Sequence, residues 1–262
     1  MARRPSKKPR LLGSHQKCWL WGRYVVLETL RAGRWPVVEL HLAEDLAPER
    51  RREAESLAAS LGVPVRVASS DHLLRLCHAK DHQGFLAKMA EFPYASAEAV
   101  LAAAEPGRRT APPLYAVLDG VQDPHNLGAI ARSAEVLGVD ALFIGGKGQV
   151  GVTAAVARAS AGAVSRLPLC RVDDLVGLAD ALRRAGVALV GASEKAGKAL
   201  ADYDFTRPTA LIIGGEAGGI RPALRQRCDA LVRIPQHGAV GSLNAAAAAA
   251  VCFYEARRQR DG

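Results

Sequence analysis

Residues 114–138 read LYAVLDGVQDPHNLGAIARSAEVLG, a strand–turn–helix unit that decides the fold. Leu114–Leu118 is a short apolar run, which is typical of a strand buried on both faces. Leu127–Leu137 has apolar residues at helical spacing, and Gly138 follows at the position that favours a left-handed helix end. A buried strand that leads directly into a helix predicts an α/β domain with a parallel sheet.

The alternation of strands and helices continues from this unit to the C-terminus. Further strands are predicted at 141–144, 164–169, 187–190, 211–213 and 231–234, and further helices at 153–160, at 173–185, in a short stretch from 222, and at 243–258. Ligands of such sheets bind outside the carboxyl ends of the strands. We therefore searched these ends for a candidate site.

A smaller α/β alternation precedes the large one. It comprises predicted helices at 24–30, 48–61 and 71–76 and predicted strands at 37–42 and 63–67. We expect four segments in the chain: a basic disordered tail (1–20), a small domain (21–95), a proline-rich linker (96–113) and the larger domain (114–260).

The positive charge is concentrated at the N-terminus. The net charge is +9, and the first 17 residues hold six cations and no acid: Arg3, Arg4, Lys7, Lys8, Arg10 and Lys17. A basic arm favours a polyanionic partner, with RNA or DNA as the first candidate. A tail that only aids solubility and an organellar transit peptide stay open as alternatives.

The composition is that of a globular protein. With 49% hydrophobic and 23% charged residues, it excludes a chain that is disordered or a coiled coil throughout. The five cysteines are widely scattered and form no CxxC pair, which favours reduced, buried thiols and a cytoplasmic location. No stretch approaches the ~20 apolar residues that span a bilayer, so we expect no membrane segment.

Polar residues follow three of the predicted strands. Asn126 and Arg132 lie beyond the first strand, where an amide and a guanidinium can hold a phosphate or a ribose. Glu216 lies among glycines after a later strand, and Ser242 and Asn244 precede the last helix. Simpler roles stay open: Asn126 and Ser242 are good helix caps, and Arg132 and Glu216 are typical solvated charges.

Other catalytic motifs are weak or missing. Gly146–Gly151 matches GxGxxG, and Asp173 or Asp174 follows at the interval of a ribose-binding acid. That fingerprint belongs to the first strand–helix turn of its fold, whereas another such unit precedes it here, so a NAD-binding oxidoreductase is a remote alternative. The GxSxG elbow of serine hydrolases does not occur. His78 and His82 are four residues apart without a third ligand nearby, and we predict no metal site.

Three segments stand in a fixed order: Asp123–Arg132, Gly214–Glu216 and Ile234–Asn244. Together they resemble the three motifs of the SpoU (TrmH-like) branch of the SPOUT methyltransferases, and the resemblance covers about residues 114–258. The Asp-Pro-His-Asn form of the first motif is most similar to the group that 2′-O-methylates a guanosine of 23S rRNA.

The N-terminal half carries a second part of the resemblance. Residues 21–95 resemble the small RNA substrate-binding domain of these enzymes, and His82-Gln83-Gly84 resembles a tripeptide common there. The resemblance implies a parallel-sheet α/β domain with a C-terminal trefoil knot, preceded by that small domain. It also implies a homodimer whose site is completed at the subunit interface, with S-adenosylmethionine as cofactor.

The resemblance further implies a role for each site residue. The catalytic set would be Asn126, Arg132, Glu216, Ser242 and Asn244; the cofactor-binding set Gly214, Gly215, Ile234 and Leu243; and the substrate-binding set His82, Gln83 and Arg132. A guanidinium essentially never deprotonates in proteins, so Arg132 would fix the hydroxyl and a neighbouring phosphate. Glu216 would orient Arg132, and Asn126 would align the ribose.

The implied function is methyl transfer from S-adenosylmethionine to a ribose 2′-hydroxyl of RNA, foremost a guanosine of 23S rRNA. The enzymatic alternatives are the same reaction on tRNA, or on rRNA as protection against an antibiotic. The non-enzymatic alternative is an RNA binder that lacks catalysis.

Overall fold

The structure, a computed structural model, describes residues 9–14, 17–103, 111–216 and 218–262. These residues form two compact units. The first unit lies within Met1–Pro93 and Thr153–Arg166, and the second within Tyr94–Val152 and Leu167–Gly262. The first unit is therefore built from two separate stretches of chain.

Strands and helices alternate through both units. The strands are β1 (Trp19–Trp21), β2 (Val37–Ala43), β3 (Val65–Ala68), β4 (Phe85–Met89), β5 (Leu114–Asp119), β6 (Ala141–Gly145), β7 (Leu169–Val172), β8 (Ala188–Ala192), β9 (Lys198–Ala199), β10 (Thr209–Gly214) and β11 (Ala230–Arg233). The helices are α1 (Arg23–Ala32), α2 (Pro48–Ser60), α3 (Ser70–Cys77), α4 (Ala97–Ala102), α5 (Pro124–Val136), α6 (Ala154–Ala159), α7 (Leu175–Arg184), α8 (Pro222–Arg225) and α9 (Ala245–Asp261). Short 3₁₀ helices occur at Ala163–Ser165 and Leu200–Asp202. Over the described ranges, no helix combines the length and apolarity that crossing a membrane requires.

The first unit is built on a mixed sheet in the order β1-β4-β2-β3. Strand β4 is antiparallel to both of its neighbours, whereas β2 and β3 are parallel. Strands β1 and β4 were not predicted from the sequence. The signal for β4 was the run Phe85–Met89 directly after Gly84, which is apolar except for Lys88 and is typical of a central strand.

A returning segment, Thr153–Arg166, completes the first unit. Its Ser165 hydroxyl lies 3.2 Å from the hydroxyl of Thr29, and both side chains are buried. Arg166 donates two hydrogen bonds to Glu28, at 2.7 and 3.0 Å. The guanidinium of Arg158 lies 4.4 Å from the ring centroid of a tryptophan in β1. The segment thus supplies packing and ion pairs that residues 9–93 alone do not contain.

The prediction of a disordered tail over 1–20 is wrong where the structure describes it. Leu11 forms a β-bridge with Ala90, and the Leu12 amide donates to the Met89 carbonyl at 3.1 Å. The apolar Leu11–Leu12 pair pulls this stretch against the sheet, and Leu12 is 9% exposed. Of the six tail cations, Arg10 and Lys17 are exposed, and Arg3, Arg4, Lys7 and Lys8 lie outside the described residues.

The second unit contains the predicted parallel sheet, which is confirmed. Its order is β7-β6-β5-β10-β8-β11-β9, and each strand pair is parallel. Every residue of β5 is buried, as its apolar sequence requires in a sheet covered on both faces. In the core the rings of Tyr115 and Phe143 meet edge to face at 5.7 Å. Central strands β5 and β10 end together, with Gly214 opposite Asp119.

Two predicted segments differ from the structure. Residues 164–169 are not a strand, because β7 starts only at Leu169, after Pro168, which has no N–H for the ladder. The predicted linker 96–113 contains helix α4, whose Val100 and Leu101 pack against the core of the second unit. Positions 104–110 of that linker lie outside the described residues.

The five cysteines form no disulfide; four are buried and Cys228 is partly buried. Burial raises the pKa of Cys170 and Cys228 to about 11 and that of Cys252 to about 12, and it also raises the pKa of Cys18 and Cys77.

Only the thiolate is a nucleophile. We therefore expect the native protein at pH 8 to react far more slowly with a chromogenic disulfide reagent than the urea-unfolded chain. Equal rates in the two states would contradict this prediction.

Candidate active site

A cavity of about 410 Å³ lies in the second unit, at the carboxyl ends of β8, β10 and β11. Six residues predicted for the site line it: Gly214, Gly215, Glu216, Ile234, Ser242 and Leu243. All four predicted cofactor-binding residues are among them. The volume falls in the range of about 300–1,000 Å³ that is usual for small-molecule sites.

Two glycines leave no space for side chains in the cavity wall. A Cβ atom added to Gly214 would lie 2.2 Å from the carbonyl carbon of Gly219. One added to Gly215 would lie 2.1 Å from the carbonyl oxygen of Gly120. Only glycine allows the ends of β5 and β10 and the following loop to approach this closely.

A chain of side-chain hydrogen bonds joins three of the predicted catalytic residues. The Asn126 amide nitrogen donates to Glu216 Oε1 at 2.6 Å. The Asn244 amide nitrogen donates to Asn126 Oδ1 at 3.0 Å. Each amide group uses both of its ends, so the network fixes the orientation of the two asparagines. Residues that follow β5, β10 and β11 are thereby brought to one place.

The helix starts explain why these asparagines are available. Helix α5 begins at Pro124 and not at Leu127, because the Asp123 side chain caps it by accepting from the His125 amide at 2.8 Å. The alternative that Asn126 caps this helix is therefore wrong. Its side chain lies within the first turn and is free to bond across the sheet edge.

The last helix begins two residues later than predicted. Helix α9 starts at Ala245, and its N-cap is Asn244, whose Oδ1 accepts from the amides of Ala246 and Ala247 at 2.8 and 3.3 Å. The alternative that Ser242 caps this helix is therefore wrong. Ser242 is instead an exposed residue of the cavity wall. Asn244 does two things with one side chain, since its oxygen caps α9 and its nitrogen holds Asn126.

The two functions of Asn244 can be separated by substitution. We expect Asn244→Asp to keep the cap and the melting temperature, because aspartate is an equally good N-cap. It loses the amide donor to Asn126, so any activity should fall. Asn244→Ala should lose both, with a stability cost of about 1 kcal/mol. Thermal denaturation and turnover of the two variants check this, and an Asp variant with full activity would contradict it.

Arg132 stands apart from this network within the protomer. It lies on α5 with an exposed side chain and does not line the cavity. Among the described residues it has no hydrogen-bond or ion-pair partner. The predicted contact between Glu216 and Arg132 does not occur within the chain, because Glu216 bonds Asn126 instead.

Asp119 is a site residue that the sequence analysis did not select. It is the last residue of β5, and its side chain is 2% exposed. It accepts hydrogen bonds from the backbone amide and the guanidinium of Arg221, at 2.8 and 2.6 Å. The available signal was an acid directly at a strand end, but nothing in the sequence indicates its partner.

The loop after β8 was also missed. Ser193, Glu194 and Lys195 line the cavity, and Arg225 and Gln236 add polar groups from α8 and from the segment after β11. The rule that ligands bind at carboxyl ends of strands applies to β8 as well. The signal was therefore present in the sequence.

The predicted substrate-binding residues of the first unit lie in one turn. His82 is buried, and its Nδ1 accepts from the Gly84 amide at 3.0 Å. Gln83 has an exposed side chain whose Oε1 accepts from the Arg23 amide at 2.9 Å, at the start of α1. Both side chains thus have intramolecular partners, and their contact with RNA stays a prediction.

The GxGxxG segment does not have the geometry of a dinucleotide site. It follows β6, and residues 146–153 form a loop before α6 rather than opening a helix at the glycines. A Cβ on Gly146 would lie 2.0 Å from Asp173 Oδ1, so the space above this glycine is taken by a side chain of the protein itself. The fingerprint therefore lacks the helix N-terminus that binds a pyrophosphate.

The paired histidines have structural positions. His78 adopts φ 54° at the end of α3, where its amide donates to the Leu74 carbonyl, and His82 belongs to the turn described above. In the part of the chain that the structure describes, no group of three or more His, Cys, Asp or Glu side chains is arranged to hold a metal ion.

Comparisons with known proteins match both halves of the chain. A model of the SpoU rRNA Methylase family matches residues 113–254, and a model described as RNA 2′-O ribose methyltransferase substrate binding matches residues 19–95. The 23S rRNA (guanosine-2′-O-)-methyltransferase RlmB of Coxiella burnetii is 36% identical over 242 residues, covering 92% of this chain and 96% of that protein. A putative TrmH family tRNA/rRNA methyltransferase, YacO of Bacillus subtilis, is 32% identical over 95% of this chain and 98% of its own length.

A solved structure shows the same relationship in three dimensions. The SpoU methyltransferase AviRb from Streptomyces viridochromogenes, in complex with AdoMet, superposes with a TM-score of 0.77 at 30% identity. The match covers 95% of each chain. A match of this extent includes residues of both units.

Proposed function

We propose a methyl-transfer activity for this chain, which belongs to the SpoU rRNA Methylase family. It transfers the methyl group of S-adenosylmethionine to the 2′-hydroxyl of a guanosine in 23S rRNA. The observation that carries this proposal is the hydrogen-bonded set Glu216–Asn126–Asn244 beside a cavity walled by Gly214 and Gly215. The relatives named for this reaction on 23S rRNA support the choice of substrate.

The residues of the cavity fit S-adenosylmethionine. Gly214 and Gly215 contribute main-chain groups to the cavity wall, and Ile234 and Leu243 contribute apolar side chains to it. These four residues would hold the nucleoside part, largely through main-chain groups. When bound, S-adenosylmethionine supplies a methyl group already activated by a positive sulfonium, so the protein's task is mainly to place the acceptor.

The polar network positions the acceptor hydroxyl. Asn126 and Asn244 are held by each other and by Glu216, so their orientation is set before RNA binds. Ser242 offers a further hydroxyl in the cavity wall. Arg132 fixes the hydroxyl and a neighbouring phosphate. Since a guanidinium cannot act as a base, the hydroxyl proton leaves late or through water.

The position of Arg132 supports a homodimer that completes the site. Arg132 shares the exposed side of α5 with Val136, which is 71% exposed. Helix α9 packs against α5 and exposes Val251 and Tyr254, at 40% and 59%. Apolar side chains exposed on two adjoining helices favour a protein contact. Within one protomer, Arg132 forms no hydrogen bond with Glu216, Asn126 or Asn244. A second copy that packs on this face would bring its own Arg132 to the site of the first.

We also propose roles for the remaining parts of the chain. The first unit selects the RNA, with His82 and Gln83 near its contact surface, and the basic N-terminal residues add contacts to phosphate. The order of the strands supports a C-terminal trefoil knot, because the chain passes from β8 to β10 and β11 and then returns to α5 with α9. A reaction on ribosomal RNA supports a cytoplasmic location.

The test maps the modification. RNA from cells with and without the gene is compared for 2′-O-methyl positions, and the purified protein is assayed with S-adenosylmethionine on unmodified 23S rRNA and tRNA. We expect one guanosine of 23S rRNA to lose its methyl group in the deletion strain and to regain it in vitro. A lost position in tRNA would redirect the proposal to tRNA. Binding of RNA without any transfer would support the non-catalytic alternative.

A further inference from the structure

We propose that Asp119 and Arg221 are positioning residues: Asp119 holds Gly215 and Arg221, at the two ends of the turn that carries Glu216, and thereby aligns Glu216 with Asn126. This inference rests on the proposed methyl transfer and assigns two further residues to the same site. Neither Asp119 nor Arg221 belongs to the Glu216–Asn126–Asn244 network, so each acts by positioning residues that do.

Asp119 carries a charge that is buried in the protein. The Asp119 side chain is 2% exposed at the end of a central strand. A buried carboxylate is costly unless charged or hydrogen-bonding partners surround it. Arg221 provides them: its backbone amide donates to Oδ2 at 2.8 Å, and Nε and Nη2 lie 2.6 and 2.5 Å from Oδ1. Such a charge-assisted, forked contact fixes direction as well as distance.

Asp119 also holds both ends of the same loop. Its carbonyl oxygen accepts from the Gly215 amide at 2.7 Å, at the start of the loop. Its side chain holds Arg221, at the end of the loop. Within the loop the Gly219 amide donates to the Gly215 carbonyl at 3.1 Å. One residue of β5 therefore determines where the loop leaves the sheet and where it returns.

The loop carries one of the residues of the site. Glu216 extends from it to Asn126, which lies seven positions beyond Asp119 on the chain segment that follows β5. Gly218, Gly219 and Ile220 continue the loop along the cavity wall. A shift of the loop therefore changes both the cavity and the hydrogen bond to Asn126. The Asp119–Arg221 ion pair can therefore affect both the cavity that would hold the cofactor and Asn126, which would align the ribose.

The experiment uses the full chain and compares three substitutions. Arg221→Gln removes the positive charge and the paired guanidinium contact with Asp119. Arg221→Lys keeps the charge but cannot form the paired contact. Asp180→Asn is the matched control, since Asp180 forms a 2.9 Å ion pair with Arg227 in the same unit and does not line the cavity. Affinity for S-adenosylhomocysteine is measured by calorimetry, and kcat and KM for RNA by methyl transfer.

We expect Arg221→Gln to lower kcat about 100-fold, as a small displacement of positioning groups can do, and to weaken S-adenosylhomocysteine binding. KM for RNA should not change, Arg221→Lys should restore part of kcat, and Asp180→Asn should behave as wild type. In the Glu216→Gln background, Arg221→Gln should cause little further loss, because residues that act through one alignment are not additive.

Several outcomes would overturn the inference. They are an Arg221→Gln variant with wild-type kcat and cofactor affinity, a loss confined to KM for RNA, and full additivity with Glu216→Gln. Arg221 is half exposed, so this variant should fold even where Asp119→Asn does not. If the wild-type protein methylates no RNA, the proposed function fails, and unchanged S-adenosylhomocysteine affinity in Arg221→Gln then overturns the inference separately.

Discussion

Replacing Arg132 with alanine is expected to abolish methyl transfer while RNA binding, S-adenosylhomocysteine binding and the melting temperature stay near wild-type values. The side chain is exposed on α5 and has no hydrogen-bond or ion-pair partner in the described chain, so folding loses little. The variant lacks the group that fixes the hydroxyl and its neighbouring phosphate. We expect kcat to fall by a factor on the order of 10²–10⁴, because the nucleophile is no longer held in place. Transfer of labelled methyl to RNA and a filter-binding assay measure the two quantities.

Arg184→Ala serves as the matched control. Arg184 is also an exposed arginine, in the last turn of α7, and it should be replaceable without consequence. Equal losses of RNA binding and turnover in the Arg132 variant would assign this residue to binding alone. Mixing the Arg132→Ala protein with an Asn126→Ala protein tests the dimer: recovered activity requires that the arginine act across subunits, and no recovery would contradict that arrangement.

Replacing Gly215 with alanine is expected to have the largest effect on cofactor binding. The new methyl group would lie 2.1 Å from the Gly120 carbonyl oxygen, a backbone atom that cannot move without displacing the end of β5. The loop must therefore shift, and the Gly215–Asp119 hydrogen bond is lost with it. We expect loss of measurable S-adenosylhomocysteine binding and a stability cost of about 1–3 kcal/mol, as is usual for overpacking. Calorimetry and thermal denaturation check both.

Gly197→Ala is the control for this substitution. Gly197 belongs to the same unit, has no heavy atom within 4 Å of an added Cβ, and does not have a positive φ. This variant should bind cofactor as the wild type does. A Gly215→Ala protein with wild-type affinity would show that the close approach of the two strand ends is not needed for binding.

The fold was largely predictable because its central strands are short apolar runs separated by amphipathic helices. The parallel sheet is confirmed, and so is membership of the SpoU branch, which the three motifs indicated. Errors occurred where apolar periodicity is ambiguous. Residues 164–169 are apolar enough for a strand, yet Pro168 delays the strand to its end, and β4 was overlooked although Phe85–Met89 is continuously apolar or nearly so.

The site was predictable in its members but not in its connections. Asn126, Glu216 and Asn244 were selected because each follows a strand, and the structure brings them together. Which atoms meet depends on pairs separated by 90 and 118 positions, and no local pattern encodes such a pairing. The same holds for Asp119 and Arg221, which are 102 positions apart. The start of helix α5 was predictable, since Asp-Pro at 123–124 is a strong signal for the start of a helix.

The discontinuity of the first unit has a consequence for synthesis. Its N-terminal stretch ends at Pro93, but the partners of Thr29, Glu28 and Asp81 are Ser165, Arg166 and Arg158, respectively. During translation this unit cannot complete its packing until residue 166 has left the ribosomal exit tunnel, by which time β5 and β6 have already emerged. The first unit therefore cannot finish folding before part of the second has been synthesised, and a fragment cut near residue 95 would lack part of its own interior.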